Sequence, residues 1–450
     1  MSKAEKELHQ FRSKEVAALI IPLIIEQALS IFIGMADTMM VSSAGEAAVS
    51  AVSLIDNLSF LLTTTFSAFA TGGSVVVSQY LGAKNEKNAK DSAKNLVYLS
   101  MGFSIAIVAI ILPFKGQIID GIYGMIESDV RAYAEDYLLY IALSYPFLAI
   151  YSALAALSRS EQKSTRTMTV SALMNVLNIG GNALLIFSFG LAAKGAAISS
   201  LISRFIGALI MFILMLNKKE KLNIRGITKG PISLELIKKI LRIALPAGIE
   251  GSLFNVGKLV LMRLIATLGT SSTAIHAVIC NFNSFTNIPG TGINLAIITI
   301  IGQCRGCNNF KDIKYYTWHL IGLSYLSVMT VAIPLYIFAP EVIGFYGLEA
   351  DSAVRALPIA RLCIIACATI WPLAFGPPQV LAATGDVKFN LKTSISSIWI
   401  FRIALAYILV LYFKMDVEAI WYGWYADWIC RAILFTWRLK SGRWKDKKVI

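Results

Sequence analysis

Charge is what this sequence has least of. Only 15% of its 450 residues are Asp, Glu, Lys or Arg, while 56% are hydrophobic; a soluble domain carries about 25% charged residues. No soluble core of this length hides so much apolar surface behind so little charge, which excludes an ordinary string of soluble domains. Histidine is scarcer still, at three residues, and the six cysteines (Cys280, Cys304, Cys307, Cys363, Cys367 and Cys430) all fall in the second half. Cys304-x-x-Cys307 has no second Cys or His pair in its loop, so no structural metal is expected and all six read as structural or incidental. No G-x-x-x-x-G-K-[ST] phosphate loop occurs, so ATP does not drive this chain directly. Gly and Pro, at 31 and 12, are too few for a low-complexity or collagen-like chain. No catalytic constellation stands out, and the chain is not read as an enzyme.

What is present instead is a series of long apolar runs. They predict twelve transmembrane helices, at about 16–41, 48–82, 93–113, 133–157, 168–189, 192–216, 241–268, 274–304, 317–338, 359–382, 393–413 and 418–438. Runs of this length without period-two alternation are helices, since lipid leaves every backbone group to be satisfied internally. The fold class is an all-α polytopic membrane protein. The first run is too long for a signal-peptide core and carries Glu26 and Asp37, so it is expected to be retained.

The net charge of +14 then acquires a place. Thirty of the 41 basic residues fall on one face: the N-terminus (Lys3, Lys6, Arg12, Lys14), alternate loops, the 217–242 segment and the C-terminal tail. The opposite loops hold acids, among them Asp120, Glu127, Asp129, Glu349 and Asp351. By the positive-inside rule both termini are cytoplasmic, with the plasma (inner) membrane as the expected location. The positive charge is topology and does not imply a nucleic-acid partner.

The two halves match under one constant shift in numbering. Pro22-x-x-x-Glu26 pairs with Pro246-x-x-x-Glu250, Gly45 with Gly269, and SQYLGAKN with GQCRGCNN, so Gln79, Gly82 and Asn85 match Gln303, Gly306 and Asn309. Six spans per half is an even number, so the halves share one orientation and are expected to be related by a pseudo-two-fold along the membrane normal. Parallel repeats of this kind are the architecture of alternating access. The expected organisation is an N-terminal lobe over 1–216, a cytoplasmic linker over 217–240 containing Lys229, Gly230 and Pro231, and a C-terminal lobe over 241–450.

Ionisable groups inside lipid are costly, at about 2.5–3.5 kcal/mol for a central Asp or Lys, and mark function. Asp37 stands near the outer end of span 1, and Asp56 lies about 13 Å down span 2 at 1.5 Å per residue. Asn175, Asn178 and Asn182 share one face of span 5, with Ser199 and Ser200 in span 6 at similar depth. This collection of oxygen-bearing side chains reads either as a site for a hard cation or proton, or as an interhelical hydrogen-bond network that holds the bundle together. In the second half Leu261 stands opposite Asp37. There the charges are Glu250, Lys258 and Arg263 on span 7, with Arg204, Arg402, Asp427 and Arg431 elsewhere. Asp427 and Arg431, at i and i+4, read as an internal ion pair, and Glu250 with Lys258 as a further pair. Trp421, Trp424 and Trp428 are assigned to an interfacial belt and packing.

The twelve spans in two parallel lobes, Pro22 before Asp37, SQYLGAKN closing span 2, NVLNIGGNALLIF in span 5, GAAISS in span 6, LPAGIEG and VLAATGD resemble the multidrug and toxic compound extrusion (MATE) family, prokaryotic type, over nearly the whole chain. The resemblance implies export of amphipathic, often cationic small molecules against inward flow of protons or sodium, with no cofactor beyond that coupling ion. It carries the family's cation site onto Asp37, Asn178, Asn182 and Ser200. Two positions depart from the pattern: Asn182 stands where relatives have Asp, and Ser200 where they have Thr. The site thus has one carboxylate fewer, leaving Asp37 as the exchanger and Asp56 as the candidate to compensate. Glu26, Glu250, Lys258 and Arg263 are the remaining candidate cavity charges. The protein is expected to work as a monomer on small-molecule substrates in the bilayer. A flippase of a lipid-linked anionic substrate is the alternative that its intramembrane basic residues would suit.

Overall fold

The computed structural model describes residues 9–124, 127–227 and 232–450. Lys3, Lys6, Lys229, Gly230 and Pro231, named above, lie outside the described residues. Among the described residues all regular structure is helical. Internal contacts divide the chain into a unit of Ser13–Gly248 and a unit of Ile249–Ile450, the latter including the segment that ends at Arg12.

The first unit holds α1 (Ser13–Ser42), α2 (Glu46–Gly82), α3 (Glu86–Ile111), the short α4 (Lys115–Tyr123), α5 (Ser128–Ser160), α6 (Ser164–Asn182) and α7 (Ala192–Met215). After Asn182 the last turns of α6 widen into a π-helix, Ala183–Ser188. Ile55, Phe66, Leu138, Ile141 and Tyr145 of α2 and α5 belong to this unit's core. Helix α8 (Leu234–Ala266) begins in this unit and ends in the next.

The second unit repeats the order. It contains α9 (Thr270–Gly306), α10 (Phe310–Ile337), the short α11 (Ala339–Gly344), α12 (Ala350–Thr369), α13 (Trp371–Thr384), α14 (Val387–Ser397), a π-helical stretch Ile398–Ala404, α15 (Leu405–Leu411) and α16 (Glu418–Lys440). Its core gathers Phe282, Trp371, Trp421, Trp424 and Trp428. The three tryptophans of α16 are 1%, 8% and 1% exposed. They are therefore interior packing residues, and the interfacial half of their expected role does not hold.

The repeat is written in the backbone as well as in the residues. Left-handed φ angles recur in pairs under the same shift, to within one position: Gly45 and Gly269 at 99° and 97°, Lys84 and Asn308 at 56° and 55°, Gly124 and Gly347, Gln162 and Gly385, Gly190 and Lys414. Each member of these pairs stops one helix before the next starts, the usual work of such a residue at a helix end. The starts match too. Asn85 caps α3 by accepting from the Asn88 amide at 3.1 Å, and Asn309 caps α10 by accepting from the Asp312 amide at 3.1 Å.

Ten of the described helices are long and apolar enough to cross a membrane. The other two expected spans are α8 and α16, of 33 and 23 residues, about 50 and 35 Å long at 1.5 Å per residue. They reach far enough but carry more charge, and part of that charge is neutralised inside the protein. The expected tenth span is not one helix. Helix α12 stops at Thr369 and α13 begins at Trp371, with Pro372 in its first turn, where a missing amide hydrogen leaves no helical bond unmade. At the break Tyr325 donates to the Thr369 carbonyl at 2.8 Å.

Candidate ion and substrate site

The sequence places the π-helix of the first unit directly after Asn182, and the widened turn helps to set that side chain against α1. Asn182 is fully buried, and its Nδ2 donates to Asp37 Oδ1 at 2.6 Å. One turn back, Asn178 is 4% exposed; its Nδ2 donates to Ser200 Oγ at 3.2 Å and reaches Ser199 Oγ at 3.5 Å. Ser199 in turn donates to the Asn178 carbonyl at 2.7 Å. Gly181 permits this approach of α6 to α7, because a Cβ there would stand 2.4 Å from Ser199 Oγ. The four residues carried over from the family pattern are thus joined in two pairs, Asp37 with Asn182 between α1 and α6 and Asn178 with Ser200 between α6 and α7.

Two oxygens in this cluster are unspent. Asn178 Oδ1 and Asn182 Oδ1 are buried and have no hydrogen-bond partner among the described residues. An unpaired buried carbonyl costs about 1–3 kcal/mol, and each such site calls for an explanation. With Asp37 they make a donor set of one carboxylate, two amide oxygens and a nearby hydroxyl, all oxygen, as a hard cation requires.

Asp56, on α2, accepts from the Tyr137 hydroxyl of α5 at 3.1 Å and shares no hydrogen bond with Asp37, though the two lie within electrostatic reach of each other and of Arg204. Arg204 donates to Ser144 Oγ at 2.6 Å. Tyr137 was not legible as a partner, since nothing in its spacing separates it from the apolar face around it. Glu26 does not join the cluster. It is held near the middle of α1 by Thr167 at 2.6 Å and Arg159 at 3.4 Å, eleven residues or about 16 Å from Asp37 along the helix.

The second unit carries a different arrangement. Asp427 is fully buried and binds Arg402, Arg431 (Nε at 2.9 Å) and Ser397. The expected Asp427–Arg431 pair is therefore present, enlarged by Arg402. The Arg402 guanidinium lies 4.8 Å from the Phe254 ring and 4.4 Å from that of Trp424, a desolvated cation–π sandwich. Glu250 pairs with Arg431 at 3.8 Å, whereas Lys258 rests over Phe254 at 5.1 Å; the expected Glu250–Lys258 pair is not among the ion pairs of the described residues, the two standing eight residues, about 12 Å, apart along α8. Arg263 is exposed, three residues before the end of α8. Among the described residues no group of three or more His, Cys, Asp or Glu is placed to hold a metal ion.

Comparison with known proteins returns a double match. The family model MatE matches the chain twice, at residues 22–184 and 246–408, the second match being the first moved by the shift of the repeat. The chain is 27% identical to the "Probable multidrug resistance protein NorM" of Thermotoga maritima, covering 99% of this chain and 96% of that one. It is 29% identical to the "Uncharacterized transporter YisQ" of Bacillus subtilis, covering 95% and 94%. Among solved structures, a MATE protein in complex with MaL6 superposes with a TM-score of 0.91 at 19% identity, over 99% of this chain and all of the other. A MOP superfamily transporter from Pyrococcus furiosus, described as having a binding pocket of reverse polarity, superposes with a TM-score of 0.90 at 19% identity and the same coverage.

Proposed function

Because the chain belongs to the MATE family of membrane transporters, we propose that it is a secondary active exporter of small amphipathic, cationic compounds, working by antiport against protons or sodium. It lies in the plasma membrane with both termini cytoplasmic, as its charge distribution favours. The observation that carries the reading is the Asp37–Asn182 contact with two unspent amide oxygens beside it.

The chemistry follows from charge. An empty Asp37 is one negative charge inside a span, which is costly to move through lipid depth. A proton or a sodium ion brings it to neutrality. Protonation gives the carboxyl an O–H donor, which the Asn182 amide can receive by presenting its oxygen instead of its nitrogen. Sodium would leave the carboxylate as acceptor and recruit both amide oxygens. Either event remakes the bond between α1 and the turn after α6, and a rearrangement at that joint is how ion binding would reach the rest of the lobe. Asn182 in place of a second acid keeps the loaded site neutral with a single monovalent ion.

The flippase reading rests on basic residues, but the two most deeply buried of these are engaged with acids. Arg402 and Arg431 are 2% and 3% exposed and spent on Asp427 and Glu250, and Arg204 is tied to Ser144. The two most buried of the arginines are therefore already balanced by acids of the chain and not offered to a lipid-linked anionic substrate, which favours cation export.

The test is efflux of a cationic dye from proteoliposomes under an imposed sodium or proton gradient. One of the two gradients is expected to drive efflux, and Asp37→Asn to lower the rate at least tenfold. Efflux under neither gradient, or an unaffected Asp37→Asn variant, would overturn the proposal.

A further inference from the structure

The first turns of α10 carry a feature that export does not use. Lys311, Lys314, Tyr315, Trp318 and His319 follow one another at i, i+3, i+4, i+7 and i+8, which brings them to one helix face, and together they line an open groove. Both lysines are exposed, and among the described residues neither has an ion-pair partner. The rings are ordered against one another. His9 stacks on Tyr315 at 3.9 Å and Tyr315 on His319 at 5.5 Å, each pair within 10° of parallel. The neighbouring acid is turned away, since the two oxygens of Asp312 are taken by His9 Nδ1 at 2.7 Å and the Gln10 amide at 2.9 Å.

Depth decides what such a groove meets. A membrane core takes roughly 20 helical residues; counted back from Ile337, the end of α10, its boundary falls at Trp318. Trp318, 38% exposed, stands where indoles favour the interface. Lys314 and Lys311 then lie about 6 and 10 Å farther out, at 1.5 Å per residue, in the layer of lipid phosphates. The repeat supplies an internal comparison. The equivalent positions of the first half are Lys87, Lys90, Asp91, Lys94 and Asn95. Lysines occur in both halves, as topology demands, but the aromatic rings and the absence of a facing carboxylate belong to the second half.

We propose that this face of α10 binds the headgroup of one anionic phospholipid from the adjoining leaflet, its phosphate between Lys311 and Lys314 and its glycerol against Tyr315 and Trp318. The proposal is independent of ion coupling and of export. It can be tested by native mass spectrometry of the full-length protein titrated with phosphatidylglycerol, counting retained lipids. A juxtamembrane lysine contributes about fivefold in affinity for an anionic leaflet, so the K311Q/K314Q variant is expected to bind the tightest phosphatidylglycerol about 30-fold more weakly than wild type. The Trp318→Leu variant, with both charges intact, should also bind it more weakly, whereas K87Q/K90Q should retain it like wild type. Equal retention by K311Q/K314Q and wild type overturns the proposal, as does equal loss in K87Q/K90Q. Displacement by free glycerol phosphate at concentrations matching the lipid would show a site for soluble phosphate, and overturns the assignment to a lipid.

Discussion

At the scale of single residues, Asn182 sets the charge of the first unit's oxygen cluster. Its amide approaches Asp37 to 2.6 Å. Asn182→Asp would put two carboxylates at that separation, and like charges so close do not both stay ionised without a cation between them. Dye efflux by the Asn182→Asp variant should therefore become more strongly stimulated by external sodium than wild type, measured as rate against sodium concentration at fixed pH. Unchanged stimulation would show that the Asn182 side chain does not face the transported ion. Helical periodicity and depth brought Asp37, Asp56, Asn175, Asn178, Asn182, Ser199 and Ser200 to a similar level in the sequence, and the family resemblance singled out Asp37, Asn178, Asn182 and Ser200 among them. Tyr137 and the orphaned Asn oxygens were not legible there. Which atom of an amide points at a neighbour depends on rotamers and on packing across helices, and spacing along one helix holds no record of either.

At the scale of elements, close helix approach is set by single glycines. Gly423 on α16 brings that helix against the π-helical stretch Ile398–Ala404, where an added Cβ would stand 2.7 Å from the Arg402 carbonyl oxygen. The obstacle is backbone, which cannot rotate aside. Gly423→Ala should destabilise by about 1–3 kcal/mol, read as a lower melting temperature in detergent. Gly322→Ala on α10, where a Cβ meets nothing within 4 Å, should instead be neutral or stabilise by about 0.5–1 kcal/mol. The spans themselves were plain from apolar run length, and Gly45 with Gly269 and Asn85 with Asn309 announced the repeat. Other left-handed pairs were hidden, since Lys84 with Asn308 and Gly190 with Lys414 keep a shared conformation under different residues. The two π-helices were hidden as well, because one extra residue in a turn leaves the apolar pattern almost unchanged.

At the scale of the whole molecule, the segment that follows α7 is fastened to the first unit by a charge cluster outside the spans. Glu220 accepts from Arg166 at 2.8 Å and from Lys163, which also binds Glu161 at 2.8 Å. Leu222 and Ile224 are fully buried beside it. Burial alone would raise the Glu220 carboxyl, but Arg166 and Lys163 outweigh it and bring it from 4.5 to about 2, while burial pushes its neighbour Glu161 up. A depressed carboxyl stabilises the fold above its unfolded value and loses that contribution as pH falls through the folded one. Protection of residues 217–227 should thus weaken as pH drops from about 4.5 towards 2, and Glu220→Gln should show little change over that window. Hydrogen exchange of peptides from this segment, corrected for intrinsic rate, reads both; equal pH profiles would remove the cluster's role.

The stacked guanidinium of the second unit has a consequence for how the two halves divide their labour. Under the shift that relates Pro22 to Pro246, Arg402 corresponds to Asn178 and Trp424 to Ser200. Where one half keeps bare amide oxygens and a hydroxyl, the other holds a cation that is part of its own chain, balanced by Asp427 and clasped by aromatic rings. A tethered charge cannot dissociate. The second half thus carries its own charge balance at these positions, and on the antiport reading proposed above the exchangeable ion is left to the first unit.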